Sequence, residues 1–162
     1  MLRPTLFVLL ATAYATPADP FFSPLPPLPL PGITDPTHLL KLDHSCLAPP
    51  YLFLSAKENS TLSILDLDAG AFVTSLPIPF PQGVAYAPPP LDLVIAASSA
   101  GTLTAWAASP PFTPAWSTAV GDDADNVRFD EVSGLAWVAH GGGGGGGRVP
   151  QRCECLHGRA PL

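Results

Sequence analysis

Three stretches of the chain repeat one another, and that repeat restricts the fold more than any other feature. The first is Asp43-His44-Ser45-Cys46-Leu47-Ala48 followed by Tyr51-Leu52-Phe53-Leu54-Ser55-Ala56. The second is Gln82-Gly83-Val84-Ala85-Tyr86-Ala87 followed by Leu93-Val94-Ile95-Ala96-Ala97-Ser98. The third is Asp125-Asn126-Val127-Arg128-Phe129-Asp130 followed by Leu135-Ala136-Trp137-Val138-Ala139-His140. They start at 43, 82 and 125, so they are spaced 39 and 43 residues apart. A second register agrees: Thr61-Leu62-Ser63-Ile64-Leu65-Asp66 pairs with Thr102-Leu103-Thr104-Ala105-Trp106-Ala107, 41 residues on.

Each short run is apolar or alternating and is bounded by Gly, Pro, Asp, Asn or Ser, which are strand signals. The second unit holds four such runs, at 83–87, 93–98, 102–107 and 115–120. Four short strands in a repeated unit of about 40 residues mark a β-propeller blade. Runs such as Val94 to Ser98 read as strands buried on both faces, as stacked blades require. Glu58-Asn59-Ser60 and Ser99-Ala100-Gly101 fall where tight hairpin turns are needed, and Asn and Gly tolerate positive φ there. Pro88-Pro89-Pro90 removes ladder donors and must be loop. A β-sandwich also has short alternating strands, but its strands need not resemble one another. The expectation is therefore an all-β chain, a partial β-propeller of about two and a half four-stranded antiparallel blades over residues 39–143.

The flanks differ in composition. Residues 1–15 have Arg3, an apolar run from Leu6 to Ala11, and Ala13-Tyr14-Ala15 as a small-x-small site. This is the layout of a secretory signal peptide, and it predicts a secreted or extracytoplasmic protein. The apolar run is too short to span a bilayer, which takes about 20 residues. Residues 16–38 carry eight prolines and read as an extended, Pro-rich linker. Gly141 to Gly147 are consecutive glycines, and the last residues hold three of the seven basic side chains. Residues 144–162 therefore read as a disordered Gly-rich, basic tail, of a composition that suggests a gene-model artefact. The net charge of −6 argues against nucleic acid as a partner, because phosphates call for a basic face.

Leu52-Phe53-Leu54-Ser55-Ala56, then Asn59-Ser60-Thr61-Leu62-Ser63-Ile64-Leu65-Asp66, resembles the YVTN-type β-propeller repeat. Pro81-Gln82-Gly83-Val84-Ala85-Tyr86 and the ten residues Gly121 to Asp130 are similar to two further stretches of it. The similarity covers residues 41–143. It implies a propeller of the quinoprotein-dehydrogenase-like superfold, found also in surface-layer and periplasmic proteins and usually of seven blades. It does not imply one activity, since such propellers host lactonases, dehydrogenases and binding scaffolds. Seven blades need roughly 300 residues, so this chain is expected to be an incomplete ring. Its open faces predict marginal stability or aggregation alone, and self-association would be one way to complete the ring.

Asp43-His44, Gln82-Gly83 and Asp125-Asn126 occupy equivalent places at the start of each unit's first strand. In propellers the first strand lines the central channel. Asp43, His44, Gln82, Asp125, Asn126 and, by alternation, Arg128 are therefore the candidate ligand contacts at one channel mouth. Asx turns leading into the strands account for the same Asp and Asn residues. No nucleophile, phosphate-loop or zinc-protease motif is present, so no catalytic residue, no cofactor and no metal site is assigned. Asp122, Asp123 and Asp125 lack the EF-hand pattern and read as an acidic surface loop. Cys153-Glu154-Cys155 with His157 offers three ligands where closed zinc sites want four, and the odd cysteine left by Cys46 fits no disulfide framework. Trp106, Trp116 and Trp137 read as blade packing. Two functions follow: a non-catalytic secreted binding or interaction module with an unknown ligand or protein at the channel mouth, or a remnant of a metal-dependent, lactonase-like propeller hydrolase. The second would draw on Asp43, His44, Asp125 and Asn126.

Overall fold

The computed structural model describes residues 42–141 and the strand at 152–157. The segments read as signal peptide and Pro-rich linker, and most of the tail, lie outside the described residues. Every described regular element is a β-strand. They are β1 (Leu42–Ala48), β2 (Tyr51–Ala56), β3 (Thr61–Asp66), β4 (Ala71–Pro77), β5 (Pro81–Ala87), β6 (Leu93–Ser98), β7 (Thr102–Ala107), β8 (Pro114–Ala119), β9 (Ala124–Asp130), β10 (Leu135–His140) and β11 (Arg152–His157). Among the described residues no helix is long and apolar enough to cross a membrane.

The strands form two four-stranded sheets, β1-β2-β3-β4 and β5-β6-β7-β8, and a third of three strands, β9-β10-β11. All pairings are antiparallel between sequence neighbours. This is the meander of a propeller blade, and the partial propeller expected from the repeat is what the chain forms. One difference lies at the end. Residues 152–157, expected to be disordered tail, pair with β10 from Leu135↔His157 to His140↔Arg152. The reason is local: Arg152-Cys153-Glu154-Cys155 alternates with the period of a strand, and β10 offers an edge that needs a partner.

Hairpin turns close β2–β3, β6–β7 and β9–β10. The last loop residue in each has positive φ: Ser60 (52°), Gly101 (85°) and Gly134 (69°). Glycine suits that place because it lacks a Cβ. In the first turn the left-handed residue is Ser60, not Asn59. Ser60 is held by its N–H to Lys57 O (3.2 Å) and by its carbonyl, which accepts from Ile78 N (3.1 Å).

Two cores hold the sheets together. Between the first and second lie Phe53, Leu62, Ile64 and Ile78 against Val84, Val94, Trp106 and Phe112. Between the second and third lie Ala85, Ile95, Ala97, Leu103 and Ala105 against Ala124, Val127, Ala136 and Val138. Strand alternation turns the opposite faces of the outer sheets away from these cores. Leu47 on the first sheet is 51% exposed and Trp137 on the third is 40% exposed.

Candidate functional site

The first strands of the three sheets are neighbours: β1 packs against β5, and β5 against β9. Each carries a β-bulge at the same place. In β1 the register slips between Leu42↔Ala56 and Ser45↔Leu54, so Asp43 and His44 together oppose Ser55. In β5 it slips between Pro81↔Ser98 and Val84↔Ala96, so Gln82 and Gly83 oppose Ala97. In β9 it slips between Ala124↔His140 and Val127↔Val138, so Asp125 and Asn126 oppose Ala139. The three residue pairs singled out from the repeat are thus three copies of one bulge. A bulge interrupts the ladder and re-aims side chains, so adjacent residues such as Asp43 and His44 can serve one site.

Gly83 then lets the site close. A Cβ at Gly83 would run into the Asp125 carbonyl oxygen and would stand 2.6 Å from Val127 N and 2.9 Å from Asn126 Cα. No other residue type fits there without moving backbone. Because β9 passes so near, Asp125 of the third sheet reaches Asp43 and His44 of the first. Ligand-capable atoms of Asp43, His44 and Asp125 all lie within 4.8 Å of one another.

Hydrogen bonds orient the group. Gln82 is buried (6% exposed). With its amide nitrogen turned toward the carboxylate, it donates to Asp43 Oδ2, and its amide oxygen accepts from Lys57 Nζ at 2.6 Å; the hydrogen-bond partners select that orientation. The Gln82 backbone carbonyl accepts from Ser55 Oγ at 2.5 Å. Asp43 Oδ1 lies 3.1 Å from His44 Nδ1. That nitrogen is buried and makes no hydrogen bond, so the pair is close without the angle a bond requires. Asn126 Nδ2 donates to Asp125 Oδ2 at 3.4 Å.

The cluster therefore gathers Asp43, His44, Gln82, Asp125 and Asn126. Arg128 is exposed further along β9 and donates from Nη1 to the Val127 carbonyl at 2.7 Å. Asp122 and Asp123 are exposed and are not part of the group. Sequence reasoning missed Lys57 and Ser55, which sit on β2 and its turn: both hydrogen-bond Gln82, and Ser55 also lies opposite the Asp43–His44 bulge. Carboxylate oxygens accept backbone N–H groups at turns elsewhere, at Asp66 to Ala69 N (2.9 Å) and Asp130 to Val132 N (3.1 Å). Cys46 is packed into the first core, and burial pushes its thiol up to about 12, which leaves it protonated and unreactive.

No family model matches the chain, and no curated protein matches it. Among solved structures, hydrazine synthase from Kuenenia stuttgartiensis is similar, with a TM-score of 0.57 and 16% identity over 70% of this chain and 33% of that one. The chain spans 33% of the length of that structure. At such identity the likeness is one of fold, and it agrees with the sheet order: this chain is a partial, all-β propeller-like structure.

Proposed function

We propose that the chain is part of a secreted, non-catalytic propeller of the YVTN-repeat type that binds a ligand or partner protein through the bulged ends of its first strands. One observation carries the reading: side chains from three separate sheets, Asp43 and His44, Gln82, and Asp125 and Asn126, converge at one place. Gln82 is buried beneath the group, Asp43 is exposed, and His44, Asp125 and Asn126 are half-buried, so the converging polar atoms stand open to a ligand from solvent. Residues 1–15 supply the reason to expect secretion. A second reading, a metal-dependent lactonase-like hydrolase, draws on the same Asp43, His44 and Asp125.

One experiment separates the two. The full chain and its Asp125→Ala variant are screened by thermal shift against carboxylates, sugars and short peptides. Lactone and ester hydrolysis is followed in parallel, with and without divalent cations. The binding reading expects a ligand that raises Tm in the parent chain and not in Asp125→Ala, with no turnover. Turnover that disappears in the variant would move the assignment to the hydrolase.

A further inference from the structure

The geometry points to a divalent transition-metal cation, Zn²⁺ or a similar ion, held by Asp43, His44 and Asp125. The inference rests on the binding reading above and names what the cluster binds first. Three donors from two non-adjacent sheets, β1 and β9, lie within 4.8 Å of one another. Gly83 lets the β9 backbone that carries Asp125 lie directly against β5, since a Cβ there would meet Asp125 O, Val127 N and Asn126 Cα. Two carboxylates and one imidazole form a mixed oxygen and nitrogen set. Imidazole favours Zn²⁺, Cu²⁺, Fe²⁺ or Ni²⁺ over Ca²⁺ and Mg²⁺, which take oxygen ligands.

The surroundings are those of a ligating carboxylate. Asp43 Oδ2 is engaged by the Gln82 amide, itself fixed by Lys57 Nζ at 2.6 Å and, through its backbone carbonyl, by Ser55 Oγ at 2.5 Å. Asp43 Oδ1 remains, facing His44 Nδ1 at 3.1 Å, and that buried nitrogen has no hydrogen bond. Partners of this kind orient metal ligands, and losing one typically lowers affinity about 10–100-fold. Oxygen and nitrogen donors on Zn²⁺ stand about 2.0–2.2 Å from the metal, so binding would draw the widest pair together and pull β9 toward β1. Three protein ligands leave a coordination position open, where an oxygen of a further ligand can bind. Gln82 is a positioning residue in this arrangement; Asp43, His44 and Asp125 are ligands.

The test is calorimetric titration of Zn²⁺ into the full chain carrying Cys153→Ser and Cys155→Ser, so that the cysteine pair near the C-terminus captures no metal. One Zn²⁺ per chain is expected. His44→Ala and Asp125→Asn should each weaken binding at least about tenfold, and Gln82→Ala about tenfold. Far-UV circular dichroism checks each fold, and His44→Gln replaces any alanine variant that unfolds. A folded chain that takes up no Zn²⁺, or one whose binding ignores both ligand substitutions, overturns the inference. The ligand screen repeated in EDTA separates the two readings. An Asp125-dependent shift that survives EDTA, with no Zn²⁺ bound, removes the cation and keeps the binding module. Zn²⁺ bound as expected with no ligand found keeps the cation and removes the module.

Discussion

The two faces of the second sheet are built differently. Toward the first sheet, Val84, Val94 and Trp106, with Phe112 from the β7–β8 loop, meet Phe53, Leu62 and Ile64. Toward the third, Ala85, Ala97 and Ala105 predominate, with Ile95 and Leu103, and they meet Ala124, Val127, Ala136 and Val138. Large side chains bury more area and hold backbones apart, each contributing roughly 1.5–3 kcal/mol when fully buried. Alanines bury less but allow close approach, and the close approach is the point at β5–β9, where Gly83 lies against the Asp125–Val127 backbone. One interface is thus built for adhesion and the other for proximity, and it is the second that brings Asp125 to Asp43.

The adhesive interface should be the more costly to damage. Phe112 is 4% exposed and sits edge-on to Tyr51 (5.2 Å, 86°) and to Phe53 (6.0 Å, 83°). It does so at φ 56°, a conformation that is unusual for a bulky residue and must be held by its surroundings. Phe112→Ala removes the ring that joins loop to neighbouring sheet. The expected loss is about 3–5 kcal/mol, read as a lower urea midpoint at unchanged slope. A loss under about 1 kcal/mol would mean that the site collapses around the gap and that this interface is not the stronger of the two.

The close interface should fail by crowding. In Gly83→Ala the new methyl meets backbone, not the flexible end of a side chain, so β5 and β9 must separate. Overpacking of this sort costs typically about 1–3 kcal/mol, and the upper part of that range is expected. The same shift carries Asp125 from Asp43, so Zn²⁺ affinity should drop with stability. Stability lost with metal affinity retained would show that the cluster does not depend on the approach at Gly83.

The strands themselves were legible. The runs at 93–98 and 102–107 are β6 and β7 residue for residue, and 83–87 and 115–120 differ from β5 and β8 only at their ends. Periodicity and punctuation suffice for that, because a buried strand announces itself locally. The equivalence of Asp43-His44, Gln82-Gly83 and Asp125-Asn126 was legible too, through the repeat. Their bulges were not, since a bulge is a property of pairing between strands and leaves no local pattern. Lys57 and Ser55 were hidden for the same reason: they join the site through Gln82, 25 and 27 residues further along the chain. Gly83 was visible as a residue but not as a contact, because only the packed neighbour shows why a side chain is excluded. The strand β11 was obscured by the glycine run before it, which outweighed a short alternation.

The smallest effect belongs to neither interface. In the β9–β10 turn the Ser133 hydroxyl, donating to Asp130 Oδ2 at 2.5 Å, holds the Asp130 carboxyl below its ordinary range, and the Val132 N–H at 3.1 Å adds to this. A carboxyl depressed in the folded state stabilises the fold above the unfolded pKa, and that contribution fades as pH falls through the folded value. Asp130 is open to solvent in this turn, so the contribution is small. Ser133→Ala should move the Asp130 titration, followed by NMR, upward toward an ordinary aspartate. Stability should fall slightly at neutral pH, where the depressed carboxyl contributes in the parent chain, and the difference from the parent should vanish as pH falls through the folded value. The turn lies at the far end of β9 from Asp125, so Zn²⁺ affinity should not move. A loss at neutral pH as large as that of Gly83→Ala would mean that the hairpin, and not the alanine-rich packing, holds the third sheet in place.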